Sequence, residues 1–241
     1  MPSLTDTAMP MTVHADADAM ASRLCATIRD DLARAIAQRG RAVLAVSGGS
    51  TPAGLYRELS GSDLDWSRVS VVLVDERWVD PGEAGSNETF VRETLLAGPA
   101  AAAGFFGLKT PEASPLDAVE EVEARLAGLD VPDVVVLGMG PDGHTASWFP
   151  RAQGLDRALS RNGARVAAVQ AAQTDVTGPH VQRMTLTLGA IAQAKRIILM
   201  IAGAAKRDTL ERALTEGPEA DLPVRAILRD AAMPLEIHWT D

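Results

Sequence analysis

Apolar residues recur at helical spacing between residues 16 and 39, where Met20, Leu24, Ile28, Leu32 and Ile36 share one face and Gly40 follows as a stop. That pattern predicts an amphipathic helix. The apolar run AVLAV (42–46) then enters SGGSTP (47–52), and helical spacing resumes in AGLYREL (53–59), so the order is strand, glycine-rich turn, helix. VSVVLV (69–74) is β-branched and ends in the polar string DERWVD (75–80), after which a loop and a helix from Ser86 to Leu96 are expected. The pattern predicts a helix over 116–129 and a strand over 133–140 (DVVVLGMG) that runs into a second glycine-rich turn. Further strands are expected at 165–170, 184–188, 196–202 and 235–239, with a helix over 204–214.

Continuous Val/Ile/Leu runs alternating with helices predict an α/β fold: one domain over residues 1–241, with a mostly parallel sheet flanked by helices on both faces. No repeat or low-complexity linker divides the chain, and the alanine-rich stretch 97–104 reads as a loop. Ligands of open α/β sheets sit beyond the carboxyl ends of the strands. Three strand ends here carry unusually chemical sequences: SGGSTP, DERWVD and GMGPDGHTAS.

Composition narrows the function. A single cysteine, Cys25, excludes an internal disulfide framework and a cysteine-built metal site. No apolar run reaches membrane-spanning length, and the first 22 residues lack both a basic n-region and an apolar h-region, so a cytoplasmic, soluble protein is expected. A formal charge of −9 argues against nucleic acid as a partner. The same charge repels phosphorylated small molecules at long range, so binding one requires a local cluster of cations and backbone N–H groups.

The three strand ends offer such groups. In SGGSTP, Gly48 and Gly49 let the backbone approach a ligand, Ser47, Ser50 and Thr51 add hydroxyls, and Pro52 suits the first turn of a helix whose N-terminus favours an anion. The alternatives are a plain capped turn or, less well supported, a nucleophile elbow at Ser47. GMGPDG matches a dinucleotide fingerprint in form only, because the next strand ends in Gln170 where an acid is required. Asp142-Gly143-His144 is better read as a histidine presented to a pocket beside an orienting carboxylate. Of the other histidines, His14 lies in a terminus expected to fray, His180 in a polar loop, and His238 in an apolar strand. Asp75-Glu76-Arg77 is either a surface ion pair with an N-cap or an arginine poised to clamp a carbonyl or carboxylate. Arg183 and Lys206 flank a strand end and a helix start, where isolated cations are usually solvated.

Taken in order, AVSGGSTP, VDERWVD with SNETFVRETLL, LGMGPDGHTASWFP, RMTLTL and the GAAK helix resemble the 6-phosphogluconolactonase family over about residues 40–215. The resemblance implies a sugar-phosphate isomerase/deaminase-like, Rossmann-like fold. It further implies hydrolysis of 6-phosphoglucono-1,5-lactone in the oxidative pentose phosphate pathway, without metal or other cofactor. The implied partner is this small phosphosugar lactone, with no nucleic acid or membrane, and the protein a monomer or small homo-oligomer. It implies His144 as general base, Asp142 as its orienting partner and Arg77 among the oxyanion donors. Ser47, Gly48, Gly49, Ser50, Thr51, Arg183 and Lys206 would hold the phosphate, and Asp75, without a proton to abstract, would organise the loop around Arg77. Glucosamine-6-phosphate deaminases resemble the chain less: they carry an aromatic residue where this chain has Arg77, and a glutamate where it has Phe149. A non-catalytic phosphosugar sensor is a second alternative, disfavoured because no basic recognition helix precedes the first sheet strand.

Overall fold

The computed structural model describes residues 11–241, so the leader-free reading of residues 1–10 lies outside the described residues. The apolar runs assemble into a seven-stranded sheet of β1 (Met11–Val13), β2 (Ala42–Val46), β3 (Val69–Leu73), β5 (Gly104–Phe106), β6 (Val134–Gly138), β9 (Ile197–Ala202) and β10 (Leu235–Thr240). Their spatial order is β1-β10-β9-β6-β2-β3-β5, and every neighbouring pair is parallel. All five residues of β2 are buried, which is what a strand covered on both faces requires.

Helix α1 (Ala17–Arg39) starts where the Asp16 carboxylate accepts the Ala19 N–H at 2.7 Å. It ends at Gly40, whose φ of 78° lets its N–H close on the Ile36 carbonyl. It packs on α2 (Ala53–Ser60), and α2 on α3 (Asn87–Thr94). These helices connect strands that step in one direction along the sheet. The connections after β5, through α4 (Val119–Leu126), and after β9, through α7 (Ala204–Leu214), step the other way. Right-handed crossovers therefore place the two groups on opposite faces. The direction reverses between β2 and β6, so a crevice opens beyond their carboxyl ends.

Two expected members of the parallel sheet lie elsewhere. β7 (Val166–Gln170) and β8 (Gln182–Leu186) pair antiparallel with each other, and β8 pairs antiparallel with β4 (Asp75–Arg77), forming a separate three-stranded sheet. The polar string after β3 is thus itself a strand, and it lacks an apolar alternation because Asp75 and Arg77 line a cavity while the buried residue between them is Glu76. β8 stops two residues earlier than its apolar run because the Thr187 hydroxyl caps the short helix α6 (Leu188–Ala192). The 97–104 stretch is a 3-10 turn leading into β5, not a plain loop. His14 does not fray: its N–H bonds to the Trp239 carbonyl and its Nε2 meets His238 Nδ1 at 2.9 Å. Helices α5 (Leu155–Ala158) and α8 (Arg225–Leu228) complete the chain. Among the described residues no helix is long and apolar enough to cross a membrane.

Candidate active site

The β2, β4 and β6 ends and the start of α7 enclose a cavity of about 610 Å³. Ser47, Gly48, Gly49, Ser50 and Thr51 line it together with Asp75, Arg77, His144, Arg183 and Lys206. Ten of the eleven residues singled out from sequence therefore line one space. The eleventh, Asp142, stands directly behind His144.

His144 is placed by the turn after β6. The Gly140 N–H bonds to the His144 carbonyl at 2.9 Å, and Gly143, at φ 78°, folds the chain back. Asp142 Oδ1 lies 2.5 Å from His144 Nδ1 and also accepts the His144 backbone N–H. An ionised carboxylate only accepts, so Nδ1 carries the proton and Nε2 keeps the lone pair. Burial pushes the Asp142 carboxyl up, but the hydrogen bond and charge of the imidazole outweigh it and hold its pKa below the ordinary value. Phe149 packs against the imidazole, its ring centroid 4.4 Å away, and the Arg183 guanidinium lies 5.0 Å from the Phe149 centroid. One buried aromatic ring thus contacts both the imidazole and a cation.

Arg183 is not a surface cation. It is 4% exposed, its Nε donates to the His180 carbonyl and its Nη2 to the Thr177 carbonyl, and burial lowers its pKa to about 10. It stands opposite Arg77 in the β4–β8 register. Arg77 Nη1 donates to the Gly85 carbonyl at 2.7 Å, while its buried Nε has no partner among the described residues. Lys206, half-buried on the first turn of α7, makes no ion pair among the described residues, and desolvation lowers its pKa. Cations tied to neutral carbonyls, or left unpaired, keep their charge for an incoming anion.

The contacts of Asp75 go to Ser147 and Asn87. Its Oδ2 accepts the Ser147 hydroxyl at 2.6 Å, and its carbonyl accepts the Asn87 amide at 2.8 Å. It therefore links β4 to the residues after His144 and to the start of α3. The Ser47–Thr51 turn is shaped by Gly49, at φ 105°, and by the Tyr56 hydroxyl, which donates to the Ser47 carbonyl at 2.9 Å.

Asn87, Asp175 and Ala146 also line the cavity and were not expected there. Ser86-Asn87 could be read as a helix start, because Ser86 does cap Thr89. No local signal shows that the Asn87 side chain turns back toward Gly48. Asp175 arrives on the 171–181 loop, which Arg183 ties down by donating to the His180 and Thr177 carbonyls.

Comparison with known proteins agrees with this geometry. The family model for glucosamine-6-phosphate isomerases/6-phosphogluconolactonase matches residues 15–239. A 6-phosphogluconolactonase of Rhizobium meliloti is 43% identical over 95% of this chain and 97% of its own length. One from Pseudomonas aeruginosa is 45% identical over 95% of this chain and 94% of its length. The crystal structure of a 6-phosphogluconolactonase from Shewanella baltica superposes with a TM-score of 0.91, at 36% identity, covering 99% of both chains. With a family match spanning nearly its whole length and relatives this similar, the chain belongs to the glucosamine-6-phosphate isomerase/6-phosphogluconolactonase family.

Proposed function

We propose that the protein hydrolyses 6-phosphoglucono-1,5-lactone to 6-phosphogluconate, as a single-domain cytoplasmic enzyme, monomeric or a small homo-oligomer, of the oxidative pentose phosphate pathway. The observation that carries the reading is His144: its Nδ1 is fixed by Asp142 at 2.5 Å, leaving Nε2 as the basic atom of a residue that shares one cavity with a glycine-rich turn and three cations. His144 takes a proton from water as the oxygen attacks the lactone carbonyl, a step worth about 10²–10⁴-fold in rate. Negative charge develops on the former carbonyl oxygen, where Arg77 and backbone N–H groups of the glycine turns donate. The C–O bond to the ring oxygen then breaks, and the imidazolium returns its proton to that oxygen. Asp142 holds the tautomer and stabilises the transient imidazolium. The Ser47–Thr51 turn, Arg183 and Lys206 hold the phosphate.

Phe149 favours this reading over deamination. A carboxylate relay beside the imidazole is absent where Phe149 stands, 3% exposed against the His144 ring. The relatives named 6-phosphogluconolactonase give the same direction.

The test is the disappearance of freshly generated 6-phospholactone, made from glucose 6-phosphate and its dehydrogenase, with the protein, with His144→Ala and with no protein. Rapid loss with the wild type and near-spontaneous loss with the variant is expected. Equal loss in both removes His144 from the mechanism, and no acceleration by the wild type overturns the function.

A further inference from the structure

Glu76 sits between two cavity residues yet faces away from the cavity, as alternation along β4 requires. It is fully buried. Its Oε1 accepts the backbone N–H of Arg77 at 2.8 Å and of Asn87 at 2.7 Å, while Oε2 accepts the N–H of Glu88 at 2.8 Å and the Ser86 hydroxyl at 3.3 Å. Ser86 already caps α3 locally through the Thr89 N–H. The carboxylate therefore does what a local cap cannot: it joins the first turn of α3 to a strand eleven residues earlier.

The consequence lies at Asn87. With its N–H held by Glu76 and its side-chain amide on the Asp75 carbonyl, its Oδ1 comes within 1.9 Å of where a Cβ on Gly48 would stand. The side chain thus occupies the space that the phosphate turn leaves by using glycine. We propose that Glu76 is a positioning residue that fixes two cavity groups at once, Arg77 through its backbone N–H and the Ser47–Thr51 turn through Asn87. Keeping an acid in this place is unfavourable in itself. Burial pushes its pKa up to about 7 against the pull of the three N–H groups, and a neutral side chain would avoid that penalty. The link to Arg77 and the turn is what a neutral residue could not supply, since the free N–H groups of a helix start favour an anion.

The inference rests on the proposed function only for its kinetic readout. Glu76→Gln is close in shape but turns an amide N–H₂ toward backbone donors, so at least one of the four contacts is lost. Hydrogen bonds to a charged group are worth enough to expect a change of about tenfold or more. In a nitrogen-15 correlated spectrum, the Gly48 and Gly49 amide signals are expected to move in Glu76→Gln while signals from α1 stay in place. The KM for phospholactone is expected to rise about tenfold alongside a fall in kcat. Unmoved glycine signals overturn the proposal. So does a fall in kcat at unchanged KM, which is what a smaller folded fraction alone would produce. Should Glu76→Gln fail to fold, Asn87→Ala cuts the same link further along and must move the Gly48 and Gly49 signals; if it leaves them unmoved, the proposal is wrong. The spectra need no substrate, so they decide on Glu76 even if the wild type hydrolyses no phospholactone.

Discussion

Gly140 offers a direct measure of how closely the imidazole is held. A Cβ built on it lies 2.2 Å from both Cε1 and Nδ1 of His144 and 2.7 Å from Asp142 Oδ1, where ordinary contact begins near 3.4 Å. In Gly140→Ala the ring must therefore retreat by about 1.2 Å, a shift that a close-packed interior resists. Movement of the ring is further restricted by Phe149, whose ring centroid lies 4.4 Å from that of the imidazole and which is itself covered by Arg183. The new methyl group also presses on the carboxylate oxygen that holds Nδ1. A misplacement near 1 Å costs about 10²-fold in rate, so kcat/KM is expected to fall by about that factor. Stability is expected to fall by about 1–3 kcal/mol from the overpacking, offset only in part by the lower entropy of the unfolded chain, since Gly140 is not among the positive-φ glycines. The assay is phospholactone disappearance, corrected for the spontaneous rate, for Gly140→Ala, His144→Ala and the double variant. If the glycine acts through the imidazole, the double variant matches His144→Ala alone. Wild-type rates in Gly140→Ala, or additive losses in the double variant, would refute the reasoning.

Three further outcomes follow from the same geometry. Tyr56→Phe leaves the buried Ser47 carbonyl without the hydroxyl that donates to it and is expected to lower unfolding free energy by about 1–2 kcal/mol in urea titrations; an unchanged midpoint would remove this bond from the support of the turn. Lys206→Met is expected to raise KM and weaken inorganic phosphate binding in calorimetry while leaving kcat within a few-fold, and an unchanged phosphate affinity would place the phosphate elsewhere. Glu76 has a folded pKa near 7, raised from 4.5, so its contribution to stability is fully present below about 4.5 and is lost as pH rises through about 7. The stability gap between wild type and Glu76→Gln should therefore shrink across that window, and a gap that widens with pH would contradict the assignment.

The parallel sheet was legible because buried parallel strands are written as continuous apolar runs, and β2, β3, β6 and β9 all appear that way. β4 was not legible as a strand. Its three residues are all charged, and only its register against β8 and the hydrogen bonds of Glu76 show why. β7 and β8 were visible as strands but not as members of a second sheet, because an apolar run gives no information about which edge it will join. The site followed the same division. Ser47–Thr51 and Asp142–His144 are compact strings whose function depends on near neighbours, so sequence contained most of their geometry. The GMGPDG string shows the limit: its glycine at 140 is required by an approaching imidazole, not by a pyrophosphate. The place of Asn87 beside Gly48 depends on its contacts with Asp75 and Glu76, and neither it nor the burial of Arg183 left a local trace.

The acidic surface and the anionic substrate are reconciled by what the cations are tied to. Arg77 and Arg183 face each other in register across β4 and β8, an arrangement in which like charges repel. Among the described residues neither is neutralised by a direct carboxylate contact: their hydrogen bonds go to the carbonyls of Gly85, His180 and Thr177. Asp75 offers only a nearby charge, and its oxygens are already engaged by Ser147 and Asn87. Paired arginines would have been cheaper to fold but would bind a phosphate only by giving up their partners. Here the repulsion is built in during folding, together with the burial that lowers Arg183 to about 10, and an arriving dianion relieves both. A protein of charge −9 can therefore hold the phosphate ester proposed as its substrate where three cations and a helix N-terminus converge, while the rest of its surface disfavours anions elsewhere.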